Sequence, residues 1–194
     1  MKYNEILRSR LYKMKSNVIF LLNNLSISKK SSTFAHEIKQ QIQPMKKMIT
    51  DYEKSNQIEK VEYNKLSSKE YMKLLADNNN RQVCGQNLLN YLCDKYKINR
   101  IPLIVLEKPR KSNKRGQTLG FYKYGPNRGI SITIYNLTAK TNTRVAIKRF
   151  ADTLLHEFIH HYDNEYLKIK SAHTCGFYKR ITDLQNKLAA TTTK

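Results

Sequence analysis

Cysteine is scarce in this chain of 194 residues, which contains only Cys84, Cys93 and Cys175. The number is odd and no two of them have C-x-x-C spacing, which argues against a disulfide framework and against a cysteine-ligated zinc ribbon. Free thiols are typical of a reducing compartment. We therefore expect an intracellular protein, cytoplasmic or associated with a nucleoid or nucleus, and not a secreted one.

Long hydrophobic runs are also missing. The apolar run at residues 18–22 is followed directly by Asn23 and Asn24, so it is too short for the apolar region of a signal peptide. A membrane span needs about 20 apolar residues, and we expect no membrane partner. The length lies between one typical domain and two, and 40% apolar residues are enough for a core without disulfide bonds.

Acidic residues are few: 15 Asp and Glu stand against 36 Lys and Arg, which gives a net charge of +21. Residues 81–150 carry 13 of these excess positive charges. The electrostatic field of such an excess of positive charge attracts polyanions, of which nucleic acid is the commonest in a cell. We predict contact with nucleic acid without sequence preference; the alternative is a lysine-rich composition that only keeps the protein soluble.

Two N-terminal segments carry apolar residues at alternating steps of four and three, the spacing of an apolar seam on a helix. The first seam is Leu7, Leu11, Met14, Val18, Leu21 and Leu25, and the second is Ile38, Ile42, Met45, Ile49 and Tyr52. Pro44 is expected to kink the second helix. The pair predicts a helical hairpin over residues 1–66, whose seams either pack on each other or on the next domain, or form a dimerisation or docking arm.

The rest of the chain predicts an α+β fold. Residues 53–68 are polar without clear periodicity and indicate a linker, after which helical patterns resume near residues 71–75 and 88–92. Residues 101–106, 118–122 and 129–135 predict three strands of a small antiparallel or mixed sheet. A helical period returns from about residue 143, a final helix is expected from about 176 to 190, and residues 191–194 form a frayed tail.

The final third contains the hexapeptide HEFIHH at residues 156–161. His156 and His160 are four residues apart, so on a helix their side chains differ by only about 40° and both can reach one ion. Glu157 is rotated by about 100° and can reach a water at the open position of that ion. This is the H-E-x-x-H pattern, with two metal ligands and one general base on a single turn. Phe158 and Ile159 are expected to anchor the helix in the core.

A catalytic zinc needs a third protein ligand and an open position for water. The extended pattern H-E-x-x-H-x-x-G-x-x-H would require glycine and histidine where this chain has Asp163 and Tyr166. His173 is the one histidine further downstream, thirteen residues after His160. That separation allows the helix to end and a turn to bring His173 back to the ion, so we predict His173 as the third ligand.

Other residues near the hexapeptide receive more modest roles. His161 is about 100° from His160 on the helix and is expected to be a half-buried or surface residue that binds no metal. His36, far upstream, is expected on a helix surface. Asp152 lies one turn before His156 and either orients that imidazole or only adds solubility.

The sequence TLLHEFIHHY at 153–162, followed by HTCGF at 173–177, resembles the SprT-like zinc metalloproteases, which include the Spartan proteases. That family has a helix bearing LLHEMIH, an HGxxF-type segment that supplies the third histidine, and a small three-stranded sheet before the zinc helix. The resemblance spans roughly residues 68–190 and implies a minigluzincin-like metalloprotease domain, which we place at 67–190. Two features differ: the glycine is Gly176 and does not directly follow His173, and a C-terminal cysteine zinc ribbon is missing.

The resemblance implies a zinc metalloendopeptidase with one Zn²⁺ on His156, His160 and His173 and with Glu157 as the base. For several members it also implies digestion of protein bound or crosslinked to nucleic acid. Tyr162, Tyr178 and His161 are unranked candidates for stabilising the oxyanion. The alternatives are a basic nucleic-acid-binding or packaging protein with a structural or silent zinc site, and a hydrolase of another amide.

A basic segment at residues 108–116 is the candidate nucleic-acid contact, because it is short, positively charged and without a base-reading motif. The alternative is a solvated hairpin loop. Its basic residues are Lys108, Arg110, Lys111, Lys114 and Arg115.

Overall fold

The computed structural model describes residues 2–27, 32–110, 118–125 and 129–190. The helices are α1 (Lys2–Ile27), α2 (Ser32–Gln57), α3 (Lys69–Ala76), α4 (Arg81–Tyr96), α5 (Ile147–Glu165) and α6 (Cys175–Ala189), and the strands are β1 (Leu103–Pro109), β2 (Gly120–Lys123) and β3 (Ser131–Leu137). The predicted α+β class and the order of its elements are confirmed; the tail at 191–194 lies outside the described residues. None of the helices in the described ranges is long and apolar enough to cross a membrane.

The three strands form a mixed sheet in the order β1-β3-β2. Strand β3 pairs in parallel with β1 and antiparallel with β2, so β2 is an edge strand. Ile132 and Ile134 of β3 are buried, as their alternation predicts. Thr133, on the opposite face, is also buried because β3 is the central strand. The sequence predicted a half-exposed face there.

Helix α5 is the central helix of the domain and packs on the sheet, on α3, on α4 and on α6. It is buried on more than one face, since ten of its 19 residues are buried. Phe158 and Ile159 are fully buried, which confirms their predicted place in the core. Helix α5 therefore holds the H-E-x-x-H residues 156–160 between edge strand β2 on one side and α6 on the other.

The two N-terminal helices pack on each other through their predicted seams. Val18 of α1 is buried with Ile38 and Ile42 of α2, and the surrounding seam residues are Leu21, Met45 and Ile49. Leu7 and Leu25 of the predicted seam lie outside the described side chains. Helix α2 continues through Pro44. Near its C-terminal end, Glu53 forms an ion pair of 2.6 Å with Lys15 of α1.

The C-terminal end of α2 docks on the rest of the protein, and the prediction of a linker over 53–68 is wrong in part. Helix α2 extends to Gln57, and Val61 and Leu66 are buried in the same core as α4, α5 and α6. Gly176 permits this docking because a Cβ there would lie less than 3 Å from three backbone oxygens of residues 55–58. The division at residue 66 between an N-terminal extension and a second domain stays a prediction.

Candidate functional site

The imidazoles of His156, His160 and His173 converge on one point. The Nε2 atom of His173 lies 3.1 Å from Nε2 of His156 and 3.0 Å from Nε2 of His160. A tetrahedral ion with ligand nitrogens at about 2.0–2.1 Å holds them roughly 3.3 Å apart. Among the described residues these three form a group of ligand atoms that could hold a metal ion.

Hydrogen bonding determines which nitrogen of His160 faces the other two histidines. The Ser171 hydroxyl donates to Oδ2 of Asp163 at 2.8 Å, so its oxygen is left to accept from Nδ1–H of His160, also at 2.8 Å. A neutral imidazole carries one N–H, and therefore Nε2 of His160 presents a bare lone pair to the group. A hydrogen bond of this kind from the other ring nitrogen fixes the tautomer in which Nε2 can bind a metal.

Burial keeps the three imidazoles neutral. It lowers the pKa of His156 to about 4 and of His160 to about 3, and the neighbouring His173 adds to both shifts. Burial also lowers the pKa of His173. Histidine binds metal in its neutral form, so the donor set suits a cation such as zinc.

His173 is positioned by the start of α6. Thr174 is the N-cap, and its side chain accepts from the backbone N–H of Phe177. The Thr174 hydroxyl donates to the backbone oxygen of Ser55 at 3.1 Å. The turn that returns His173 to α5 is thus held both by a local cap and by the end of α2.

Glu157 lies next to the three histidines and is only 7% exposed. Burial raises the pKa of its carboxyl to about 7, against the opposing effects of a hydrogen bond from the Tyr122 backbone N–H and of the Arg110 charge. Gly120 of β2 leaves room for this side chain, because a Cβ at Gly120 would lie 3.2 Å from Cγ of Glu157. A carboxyl with a pKa near neutrality can both accept and return a proton.

A buried ion pair extends the network behind His160. Arg180 of α6 and Asp163 of α5 have fully buried side chains and are 2.9 Å apart. The Arg180 guanidinium also donates to the backbone oxygens of Ser55 and Ile58 and to the Ser55 hydroxyl. A continuous chain of buried and part-buried polar contacts therefore runs from the end of α2 through Arg180, Asp163 and Ser171 to His160.

Arg180→Met is expected to lower the free energy of unfolding by about 3–5 kcal/mol, because it leaves the Asp163 carboxylate buried without its charged partner. Urea unfolding of the metal-free protein measures the change. The double variant Arg180→Met/Asp163→Leu should be more stable than Arg180→Met alone, since it removes the uncompensated charge.

The matched control is Lys179→Met on the preceding position of α6. Lys179 pairs with Glu59 at the surface, where both side chains are about half exposed, so the substitution is expected to be nearly neutral. Equal stability losses for Arg180→Met and Lys179→Met would contradict the role given to the buried pair.

The three oxyanion candidates have different environments. Tyr162 is buried, and its hydroxyl accepts from the backbone N–H of Glu62. His161 is fully buried, contrary to the half-buried or surface position predicted. Its Nε2–H donates to the Asn99 carbonyl at 2.8 Å, so its Nδ1 accepts from the Tyr122 hydroxyl.

Tyr178 is the oxyanion candidate nearest to the histidine group. Its ring stacks on His173 with centroids 5.9 Å apart and lies 6.3 Å from His156. The residue is 45% exposed.

The site opens into a cleft of about 830 Å³. One wall is edge strand β2, where Tyr122 lies parallel to the His160 ring at 6.3 Å and Tyr124 stacks on Tyr122 at 6.0 Å. The other walls are α5, the loop between α5 and α6, and two residues of α2, Lys47 and Asp51.

The two remaining sequence candidates, His36 and Asp152, have hydrogen-bond partners on other residues. His36 is exposed and hydrogen-bonds to Gln40, as predicted for a helix surface. Asp152 accepts from Gln185 of α6 at 2.9 Å, pairs with Lys148 and lines a pocket together with His156, so its orienting role stays a prediction.

Only part of the basic segment can be placed. Lys108 and Arg110 are exposed at the end of β1, and the Arg110 guanidinium lies 5.5 Å from the ring centre of Phe121. Lys111, Lys114 and Arg115 lie outside the described residues, so nucleic-acid contact stays a prediction.

Sequence reasoning missed Ser171, Asp163, Arg180 and Ser55. A capping threonine ahead of a helical period is visible in the sequence at Thr174. The pairing of Asp163 with Arg180, and of both with the end of α2, has no local signal because it joins residues of separate elements.

Comparison of the chain with protein-family models found no match, and neither did comparisons with curated proteins and with solved structures.

Proposed function

We propose that this protein is a zinc-dependent metalloendopeptidase of the SprT-like type that acts on protein bound or crosslinked to nucleic acid. The observation that carries the proposal is the convergence of three imidazole nitrogens beside a buried carboxyl group in an open cleft. His156, His160 and His173 would hold the ion. A bound zinc ion supplies Lewis-acid polarisation of a carbonyl and lowers the pKa of water.

Glu157 moves the proton. Its carboxylate takes a proton from the attacking water while the water oxygen bonds to the peptide carbonyl carbon. It then gives that proton to the amide nitrogen as the C–N bond breaks, which yields a carboxylic acid and an amine. The Tyr122 backbone N–H holds the carboxylate in place for both transfers.

Edge strand β2 supports a peptide as the substrate. It forms a wall of the cleft and pairs on one side with β3. An extended peptide can add to such an edge as a further strand through main-chain hydrogen bonds, which would place its backbone beside the site. This arrangement favours an unfolded or exposed segment of a protein over a compact fold.

The excess of positive charge at residues 81–150 supports an action near nucleic acid, and it also favours the alternative of a nucleic-acid-binding protein with a silent zinc site. Hydrolysis separates the two. The purified chain, loaded with one equivalent of zinc, is expected to cleave an unfolded protein such as reduced casein, with or without single-stranded DNA.

Removal of the metal provides the control for this experiment. A chelator should abolish cleavage and stoichiometric zinc should restore it, as followed by gel electrophoresis and by metal analysis. A zinc-loaded, folded chain that leaves casein and DNA-bound protein intact would overturn the peptidase proposal and leave the alternative.

A further inference from the structure

One end of the cleft carries three lysines. Lys47 comes from α2, and Lys168 and Lys170 come from the loop between α5 and α6. All three side chains line the same cleft as the three histidines and Glu157. They form a rim, which we call the lysine rim, on the side of the site away from Arg149 and Asp152.

The backbone of the lysine rim is held firmly. Oδ2 of Asp51 accepts from the backbone N–H of Lys170 at 3.1 Å and lies 3.5 Å from Nζ of Lys47. Between the two loop lysines, Ile169 is 3% exposed and its N–H donates to the Asp163 carbonyl. Lys168 has a φ of 54°, which turns the chain sharply at the end of α5.

The ammonium groups remain available to a ligand. The Lys47 and Lys168 side chains are 71% and 73% exposed, and each has only a loose carboxylate neighbour at 3.5 Å, Asp51 and Glu165 respectively. Such contacts contribute little to stability. An incoming carboxylate can therefore approach these lysines without breaking a strong ion pair.

The charge of the cleft is asymmetric along its length. Apart from Glu157, the three lysines of the rim face two carboxylates, those of Asp51 and Glu165, which leaves one excess positive charge there. A neighbouring pocket, which shares Gly120, His156 and Glu157 with the cleft, is lined by Arg149 and Asp152, whose charges balance. Among the described residues that line the two pockets, the excess positive charge therefore lies on the lysine-rim side of the histidine group.

We propose that the lysine rim binds an acidic side chain of the substrate, aspartate or glutamate, on one side of the scissile bond. This inference rests on the proposed peptidase function, because it takes the cleft as the place where a polypeptide lies. Exposed charge pairs are weak and screened by salt. We expect an acidic residue to improve binding about three- to tenfold at low ionic strength, and less at high salt.

Binding is tested with the zinc-loaded Glu157→Gln variant, which keeps the peptide intact. Short fluorescein-labelled peptides carry one glutamate, moved position by position, and are compared with the same peptides carrying glutamine. Fluorescence anisotropy gives the affinity ratio at each position, and cleavage by the wild-type chain gives the position of the scissile bond. The expected result is a preference for glutamate at positions on one side only.

The test variant is Lys47→Gln/Lys168→Gln/Lys170→Gln, and the matched control is Lys60→Gln/Lys65→Gln/Lys69→Gln, which removes the same charge from exposed residues that do not line the cleft. The first should lose the glutamate preference and the second should keep it. A preference that is absent, equal on both sides, or unchanged in the test variant overturns the inference.

Two further outcomes are decisive. If the test variant loses affinity for a single-stranded oligonucleotide but keeps the glutamate preference, the lysines contact nucleic acid and the inference is wrong. If the Glu157→Gln variant shows the one-sided preference while the wild-type chain cleaves no peptide, the rim binds acidic chains as inferred and the peptidase proposal alone fails.

Discussion

Glu157→Gln is expected to reduce peptide hydrolysis by about 10²–10⁴-fold, the usual contribution of a general base, while zinc binding is retained. Glutamine has nearly the same shape as glutamate and can still accept from the Tyr122 backbone N–H through its carbonyl oxygen. It cannot take a proton from water. The histidine ligands are unaffected, because the carboxyl group is not among the atoms that converge on the ion site.

The measurement combines cleavage of casein with metal analysis of the same preparation. Glu62→Gln is the matched control, since Glu62 has an exposed side chain and does not line the cleft. If Glu157→Gln binds one equivalent of zinc and cleaves at the wild-type rate, Glu157 is not the base and the mechanism proposed for this site is wrong.

His173→Ala is expected to weaken zinc binding by at least about 100-fold. Loss of a residue that only orients a ligand already costs about 10–100-fold in metal affinity, and His173 would supply a ligand atom itself. Its Nε2 lies within about 3 Å of both other Nε2 atoms. Competition with a chromophoric chelator measures the affinity, and the absorption spectrum of the Co²⁺ form reports the change in coordination.

A graded series of variants controls this prediction. Ser171→Ala removes the hydrogen-bond acceptor for Nδ1 of His160 and should weaken zinc binding less than His173→Ala does. His36→Ala alters an exposed histidine of α2 and should leave the affinity unchanged. Wild-type affinity in His173→Ala would remove His173 from the ligand set and reopen the choice of a third ligand.

The hydrogen bonds that run from Arg180 through Asp163 and Ser171 connect the end of α2 to the metal-site candidate His160. Carbonyls of Ser55 and Ile58, at the end of α2 and just beyond it, accept from Arg180, which also pairs with Asp163. Asp163 in turn accepts from the Ser171 hydroxyl that contacts His160. The geometry of one metal-ligand candidate therefore depends on a segment more than 100 positions earlier in the chain.

Local patterns predicted the elements well and their ends less well. The alternation of Ile132 and Ile134 correctly predicted a strand, and the seams around Val18 and Ile42 correctly predicted helices that pack together. The predicted linker failed at its start, because residues 53–57 are polar and yet continue α2. Tertiary contacts decide that end: Ser55 is fully buried against α6 and satisfied there by Arg180 and Thr174.

The sequence by itself determined the spacing of His156, Glu157 and His160, because positions on one helical turn have fixed relative directions. It also showed that His173 follows at a separation that allows a turn. Only the tertiary structure decided that His173 returns to the same point, because that depends on how α6 docks on α5 and α2. The neutral, correctly oriented imidazole of His160 was likewise a tertiary result, since burial and a hydrogen-bond chain through Ser171 and Asp163 have no signature in neighbouring residues.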